Sequence, residues 1–236
     1  MYEYLFGDLI LGIIWLLAFI LRRDLRKPII WSSIAYPAIS AVIFIILTIL
    51  SMLLHIEPIV PGYWNPNTLL DLGRLTGGYG IEDALFMFFA GGIATFVYEF
   101  FFRKKIKLKK TYKHHIRALF IGIIAMGIFT IIFKANLIYS LTVFYFAGAI
   151  SICIERRDLI YHSLFGGLSF LIIYFSIFLL FNMIFPSFIQ NFYNLQNISG
   201  ILFFGVPFEE LLYAVSFGLI WSPIYEYEHG EKDIDA

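Results

Sequence analysis

Apolar residues run through this chain in seven long blocks, separated by short clusters of charge, proline and glycine. The blocks cover about 4–21, 29–54, 81–102, 116–133, 136–154, 159–185 and 201–225, each near the roughly 20 residues that a helix needs to cross a bilayer. The pattern predicts an all-α integral membrane protein with seven transmembrane helices. Basic residues fall on one side of it. Arg22, Arg23, Arg26 and Lys27 follow the first block, eight basic residues lie between Arg103 and Arg117, and Arg156 and Arg157 follow the fifth block. The breaks on the other side hold only Arg74 and Lys134. Because basic loops stay inside, a multi-pass protein of the cell membrane is expected, with its N-terminus outside and its C-terminus cytoplasmic. Met1-Tyr2-Glu3-Tyr4 lacks the basic start of a signal peptide, so the first block is expected to be a retained span.

The polar positions inside the blocks repeat. Gly80-Ile81-Glu82-Asp83-Ala84-Leu85-Phe86 lies over Pro207-Phe208-Glu209-Glu210-Leu211-Leu212-Tyr213, and the register continues through Gly91 and Gly218 to Tyr98-Glu99 and Tyr225-Glu226. Leu21-Arg22-Arg23-Asp24-Leu25 lies over Glu155-Arg156-Arg157-Asp158-Leu159. Blocks one to three thus match blocks five to seven, and block four is left over. Three spans reverse the chain's direction, so one extra span lets both copies face the same way. The predicted architecture is a 3+1+3 parallel internal repeat: residues 1–110, a linking helix within 111–135, and residues 136–236.

Composition narrows the function classes. The chain of 236 residues is 60% hydrophobic with a mean hydropathy of +0.83, and its 17 basic and 17 acidic side chains cancel, so nothing points to nucleic acid. Cys153 is the single cysteine, which excludes a disulfide framework. No G-x-G-x-x-G marks a dinucleotide site. No lysine lies in the last block to carry a retinal, no D-x-x-x-D suits a diphosphate, and Ala214 stands where membrane proteases with an E-E-x-x-x-R motif have arginine. His114 and His115 fall in the basic loop and read as solvated. His162 has no second ligand at metal spacing, so no metal or cofactor is expected.

The acid pairs carry the chemistry. Acids at a helix start suit the helix dipole and need no further role. Glu209 and Glu210, however, follow the apolar run Ile201–Phe208, in which Pro207 should break the helix. Carboxylates so placed default to function. Glu82 and Glu209 are expected to face each other across the repeat axis, supported by Asp83 and Glu210, and to share a proton. Phe86 and Phe89 continue the face of Glu82, and Tyr213, Phe217 and Trp221 that of the second pair, giving an aromatic wall suited to a cation. The same stripe suits plain packing. Tyr98-Glu99 and Tyr225-Glu226 come about 16 residues later, roughly 24 Å along a helix. They read as anchors at the inner surface, with tyrosine in the aromatic belt and glutamate paired to arginine or lysine.

Together, the Pro207-Phe208-Glu209-Glu210 motif, its partner Gly80-Ile81-Glu82-Asp83 and the 3+1+3 plan resemble the membrane lycopene cyclases that use no flavin. In their fused form two three-helix halves flank a linking helix. The one departure is Gly80 at the position of the motif's proline. The resemblance implies cyclisation of the ends of lycopene to β-ionone rings, giving β-carotene through γ-carotene, an isomerisation without net redox change. It implies a lipid-soluble carotenoid as partner. Relatives that act on C50 carotenoids or form other rings share the motifs. Two other classes compete. Small transporters also use a 3+1+3 repeat, but with Pro-Gln kinks that this chain lacks. A structural subunit would use its acids only to pair the repeats.

Overall fold

The computed structural model describes residues 2–102 and 117–229. The basic run 103–116, with His114 and His115, and the acidic tail 230–236 lie outside the described residues. The helices follow the apolar blocks: α1 (Tyr2–Leu21), α2 (Arg26–Leu54), the short α3 (Ile59–Gly62) and α4 (Leu72–Thr76), then α5 (Ile81–Phe102), α6 (Arg117–Phe133), α7 (Leu137–Glu155) and α8 (Ile160–Ile184). A single turn, α9 (Phe188–Phe192), the strands β1 (Leu202–Phe203) and β2 (Val206–Pro207), α10 (Phe208–Trp221) and α11 (Ile224–His229) complete the chain.

Five of these helices, α1, α2, α5, α7 and α8, are long and apolar enough to cross a membrane. Helix α6 is apolar, with 17 residues among those described. The seventh block differs from a continuous span. Its first seven residues form an antiparallel hairpin, with Leu202 opposite Pro207 and Phe203 opposite Val206. Phe204 and Gly205 turn it, with φ of 49° and 81°, the positive pair that a two-residue hairpin turn requires. Pro207 has no N–H to give to a preceding helical turn, so α10 starts only after it. Ser222 and Pro223 then separate α10 from α11.

Helix α5 lies against α1 and α2, and α10 lies against α7 and α8. Helix α6 packs on α7, and α5 meets α8 between the two groups. Gly91 sets how closely α5 approaches α2: a Cβ there would stand 2.7 Å from Ser32 O and 2.9 Å from Tyr36 Cβ. Gly218 does the same between α10 and α8, where a Cβ would stand 2.9 Å from Phe170 Cβ and 3.1 Å from Gly166 O. The bundle's centre is aromatic, with Tyr36, Tyr145, Phe144, Phe170, Phe217 and Trp221 fully buried. Its outside is oily: Ile34, Ile45, Met52, Ile131, Ile172 and Met183 are all exposed. Apolar side chains facing outward along helices whose backbone is satisfied internally are what a bilayer requires, and the chain is a multi-pass, all-α membrane protein.

Candidate active site

The N-terminal ends of α5 and α10 open onto a cavity with about 990 Å³ of empty space, its mouth included. Helices α1, α2, α7 and α8 also line it, and Tyr63, Trp64 and Tyr193 of the connecting segments close it. Its walls are mostly aromatic and aliphatic, and three carboxyl side chains, Asp8, Asp83 and Glu210, lie deep among them.

Glu210 is 6% exposed. Its Oε1 accepts the hydroxyls of Tyr63 at 2.7 Å and Tyr193 at 2.9 Å, and its Oε2 accepts that of Tyr174 at 2.5 Å. Three phenol donors on one carboxyl offset part of the cost of burying it. The phenols of Tyr63 and Tyr193 belong to connecting segments, and burial beside the Glu210 charge holds both well above the ordinary tyrosine range. They therefore remain donors. Asp83 accepts Tyr4 Oη–H at 2.7 Å and the Gly80 N–H at 2.7 Å. The latter closes the first turn of α5, as acids at a helix start do. Asp8 is the unusual one. It is 3% exposed, lies within electrostatic reach of Asp83 and Glu82, and neither of its oxygens has a hydrogen-bond partner among the described residues. Below the carboxyls, Tyr36 Oη is 2.9 Å from Tyr145 Oη and 2.7 Å from Tyr213 Oη, a buried hydroxyl chain that forms the floor.

The geometry corrects the expected pairing. Glu82 and Glu209 do not meet across the bundle, and neither lines the cavity. Glu82 Oε1 accepts the Leu69 N–H at 2.7 Å. Glu209 Oε1 accepts the Ser199 N–H at 2.9 Å and Tyr139 Oη–H at 2.6 Å. Adjacent residues point about 100° apart on a helix, so packing turns one acid of each pair to the loops and the other, Asp83 or Glu210, to the cavity. Of the aromatic residues singled out, Phe86 and Tyr213 line the cavity. Phe89 packs under Trp15 and Gly12. Phe217 stacks between Tyr36 and Tyr213, and Trp221 continues that stack one turn further on.

The inner ends also differ from the expected anchors. Tyr98, Glu99 and Tyr225 are buried, at 5%, 1% and 7% exposure, rather than turned to an interface. Tyr98 stacks on His162 with ring centroids 4.0 Å apart. The side chain of Glu99 faces His162, while Arg22 reaches the Glu99 main-chain oxygen at 2.9 Å. Helix α5 presents these residues to α8, which is why they lie inside the bundle.

Sequence reasoning missed Asp8 and the tyrosines that hold the carboxyls. Asp8 had a usable signal, as the acid in the middle of the first apolar block. The tyrosines had none, being five among 15 spread along the chain.

A match to the lycopene cyclase family covers residues 2–101 and 136–228. No curated protein and no solved structure matches. Matched along both stretches, which together hold every side chain of the cavity, the chain belongs to the lycopene cyclase family.

Proposed function

We propose that the chain is a lycopene β-cyclase, an intramolecular lyase that closes the ends of lycopene into β-ionone rings by way of γ-carotene. The observation that carries this reading is one aromatic cavity into which Asp83 from one acid pair and Glu210 from the other both project. The reaction needs a proton donor, a proton acceptor and shielding from water. A carboxyl of the Asp8–Asp83 group delivers H⁺ to C2 of the terminal C1=C2 bond, leaving a tertiary cation at C1. The C5=C6 bond attacks C1, closing the ring and moving the cation to C5. Glu210, supported by three phenols, removes the C6 proton and leaves the C5=C6 double bond of the β ring. One proton enters and one leaves, so no oxidant or reductant is needed. The faces of Phe86 and Tyr213 stabilise the migrating charge and exclude water that would trap it as an alcohol. Glu82 and Glu209 act as positioning residues that hold the outer loops over the cavity.

The internal repeat supports two acids of different character. The contacts of Gly91 with Ser32 and Tyr36 correspond to those of Gly218 with Gly166 and Phe170, at the same spacing in both halves. Arg22 bonds Asp24 as Arg156 bonds Asp158. We read residues 1–110 and 136–236 as the two repeats, joined by a linking helix within 111–135. Expression in a bacterium that accumulates lycopene tests the function. β-Carotene is the expected pigment, another ring type would correct the product, and unchanged lycopene with verified insertion would favour a carrier.

A further inference from the structure

At the end of the bundle away from the cavity, three side chains converge that no part of the cyclisation uses. Glu99 comes from the last turns of α5, His162 from the first turn of α8, and Glu226 from α11. One ligand-capable atom of each lies within 4.8 Å of the other two. His162 Nδ1 is 2.9 Å from Glu226 Oε2, and His162 Nε2 is 3.6 Å from Glu99 Oε1. Glu99 and His162 are 1% and 3% exposed, and Glu226 is 19% exposed. Neither oxygen of Glu99 has a hydrogen-bond partner among the described residues.

Two carboxyls beside one imidazole leave negative charge in surroundings that solvate it poorly. Two guanidinium groups stand nearby: Arg22 pairs with Asp24 at 2.8 Å and reaches the Glu99 main-chain oxygen at 2.9 Å, and Arg156 pairs with Asp158 at 2.7 Å and reaches the Glu226 main-chain oxygen at 3.4 Å. Imidazole nitrogen with carboxylate oxygen is a donor set for first-row divalent metals rather than for calcium or magnesium, which prefer all-oxygen shells. Zinc binds these donors at about 2.0–2.2 Å. Its tetrahedral ligand atoms then stand roughly 3.4 Å apart, so an ion on His162 Nε2, the nitrogen that faces Glu99 and Ser222, draws the Glu226 carboxylate across from Nδ1.

We propose that Glu99, His162 and Glu226 form a binding site for a divalent transition-metal ion, zinc by its donor set. The ion fastens the inner ends of α5, α8 and α11 to one another. Glu99 and Glu226 occupy matching positions in the two halves, so the metal ties the halves together where the cavity does not. The site is independent of the cyclisation and needs no carotenoid for its test.

The test uses the full chain, purified in detergent without an affinity tag or chelator. Metal content is read by elemental mass spectrometry and Tm with and without EDTA and added zinc. About one zinc per chain is expected, or a Tm several degrees higher once zinc is restored to stripped protein. That rise should vanish in Glu99→Gln and His162→Asn and persist in the control His229→Ala. Cobalt substitution gives a reading that requires no variant: visible bands of a four-coordinate site in the wild type. Negligible metal together with a Tm indifferent to zinc and EDTA overturns the proposal and leaves His162 as a hydrogen-bond partner of Glu226 and Ser222. A zinc-induced rise undiminished in Glu99→Gln also overturns it.

Discussion

At the scale of single residues, the two members of an acid pair do different work because a helix separates their directions. Glu210 meets three hydroxyl donors in the cavity, whereas Glu209 meets a loop N–H and Tyr139. Gln at 210 keeps the shape and removes the charge, and its NH₂ would face a phenol that also donates. We expect Glu210→Gln to lower cyclisation by about 10²–10⁴-fold with normal insertion, the usual worth of a general base. Gln at 209 still offers an oxygen to Ser199 and Tyr139, and activity should stay within about tenfold of wild type. Pigment ratios in the lycopene-accumulating host measure both, and the reverse ranking would sink the assignment. The sequence made the pairs visible because charge inside an apolar run is conspicuous. It did not reveal which member faces inward, since helix phase is set by packing against α7 and α8. Nor could it assemble Glu99, His162 and Glu226, which are separated by more than 60 residues and share no local pattern.

At the scale of elements, hydropathy was a close guide wherever a block stayed helical. The block at 81–102 coincides with α5, and the one at 159–185 misses α8 by a residue at either end. It failed at 201–207, because apolar residues alone do not distinguish a buried helix from a hairpin. There Gly205 and Pro207 carried the information. Helix direction also sorts the connections into two ends. At one end Asn65 N–H bonds Phe192 O, Asn194 N–H bonds Tyr63 O, and Asn136 reaches Gly62 O, so three outer connections lock together. At the other end stand the Arg–Asp pairs after α1 and α7. By the positive-inside rule, basic residues at that second end are expected to put it in the cytoplasm. In a variant with Cys153 replaced, a cysteine at exposed Ser187 should therefore react with an impermeant reagent applied to whole cells, and one at exposed Arg23 should not. The opposite pattern would invert the proposed orientation.

At the scale of the whole molecule, one cavity lies between two three-helix groups and collects acids from both. It opens at the N-terminal ends of α5 and α10. These helices run away from the connections that carry Leu69 and Ser199, so on the proposed reading the chemistry sits beneath those connections. Lycopene in extended form is comparable in length with the hydrocarbon core, about 30 Å, and on the proposed reading a cavity at one end of the bundle takes one of its termini. The other terminus must then be processed in a second binding event, after the chain has left and turned. Two consequences follow for the product in D₂O. γ-Carotene should appear before β-carotene in a time course with the protein in lycopene-loaded vesicles. The monocyclic product should carry one deuterium at C2 of its ring, and the dicyclic product one at each C2, because each closure takes its proton from a carboxyl that exchanges with solvent. Mass spectra of the two pigments report both points together. β-Carotene formed without any γ-carotene would overturn that order of two binding events. Product lacking deuterium, made after the solvent change, would exclude a carboxyl in exchange with water as the initiating acid.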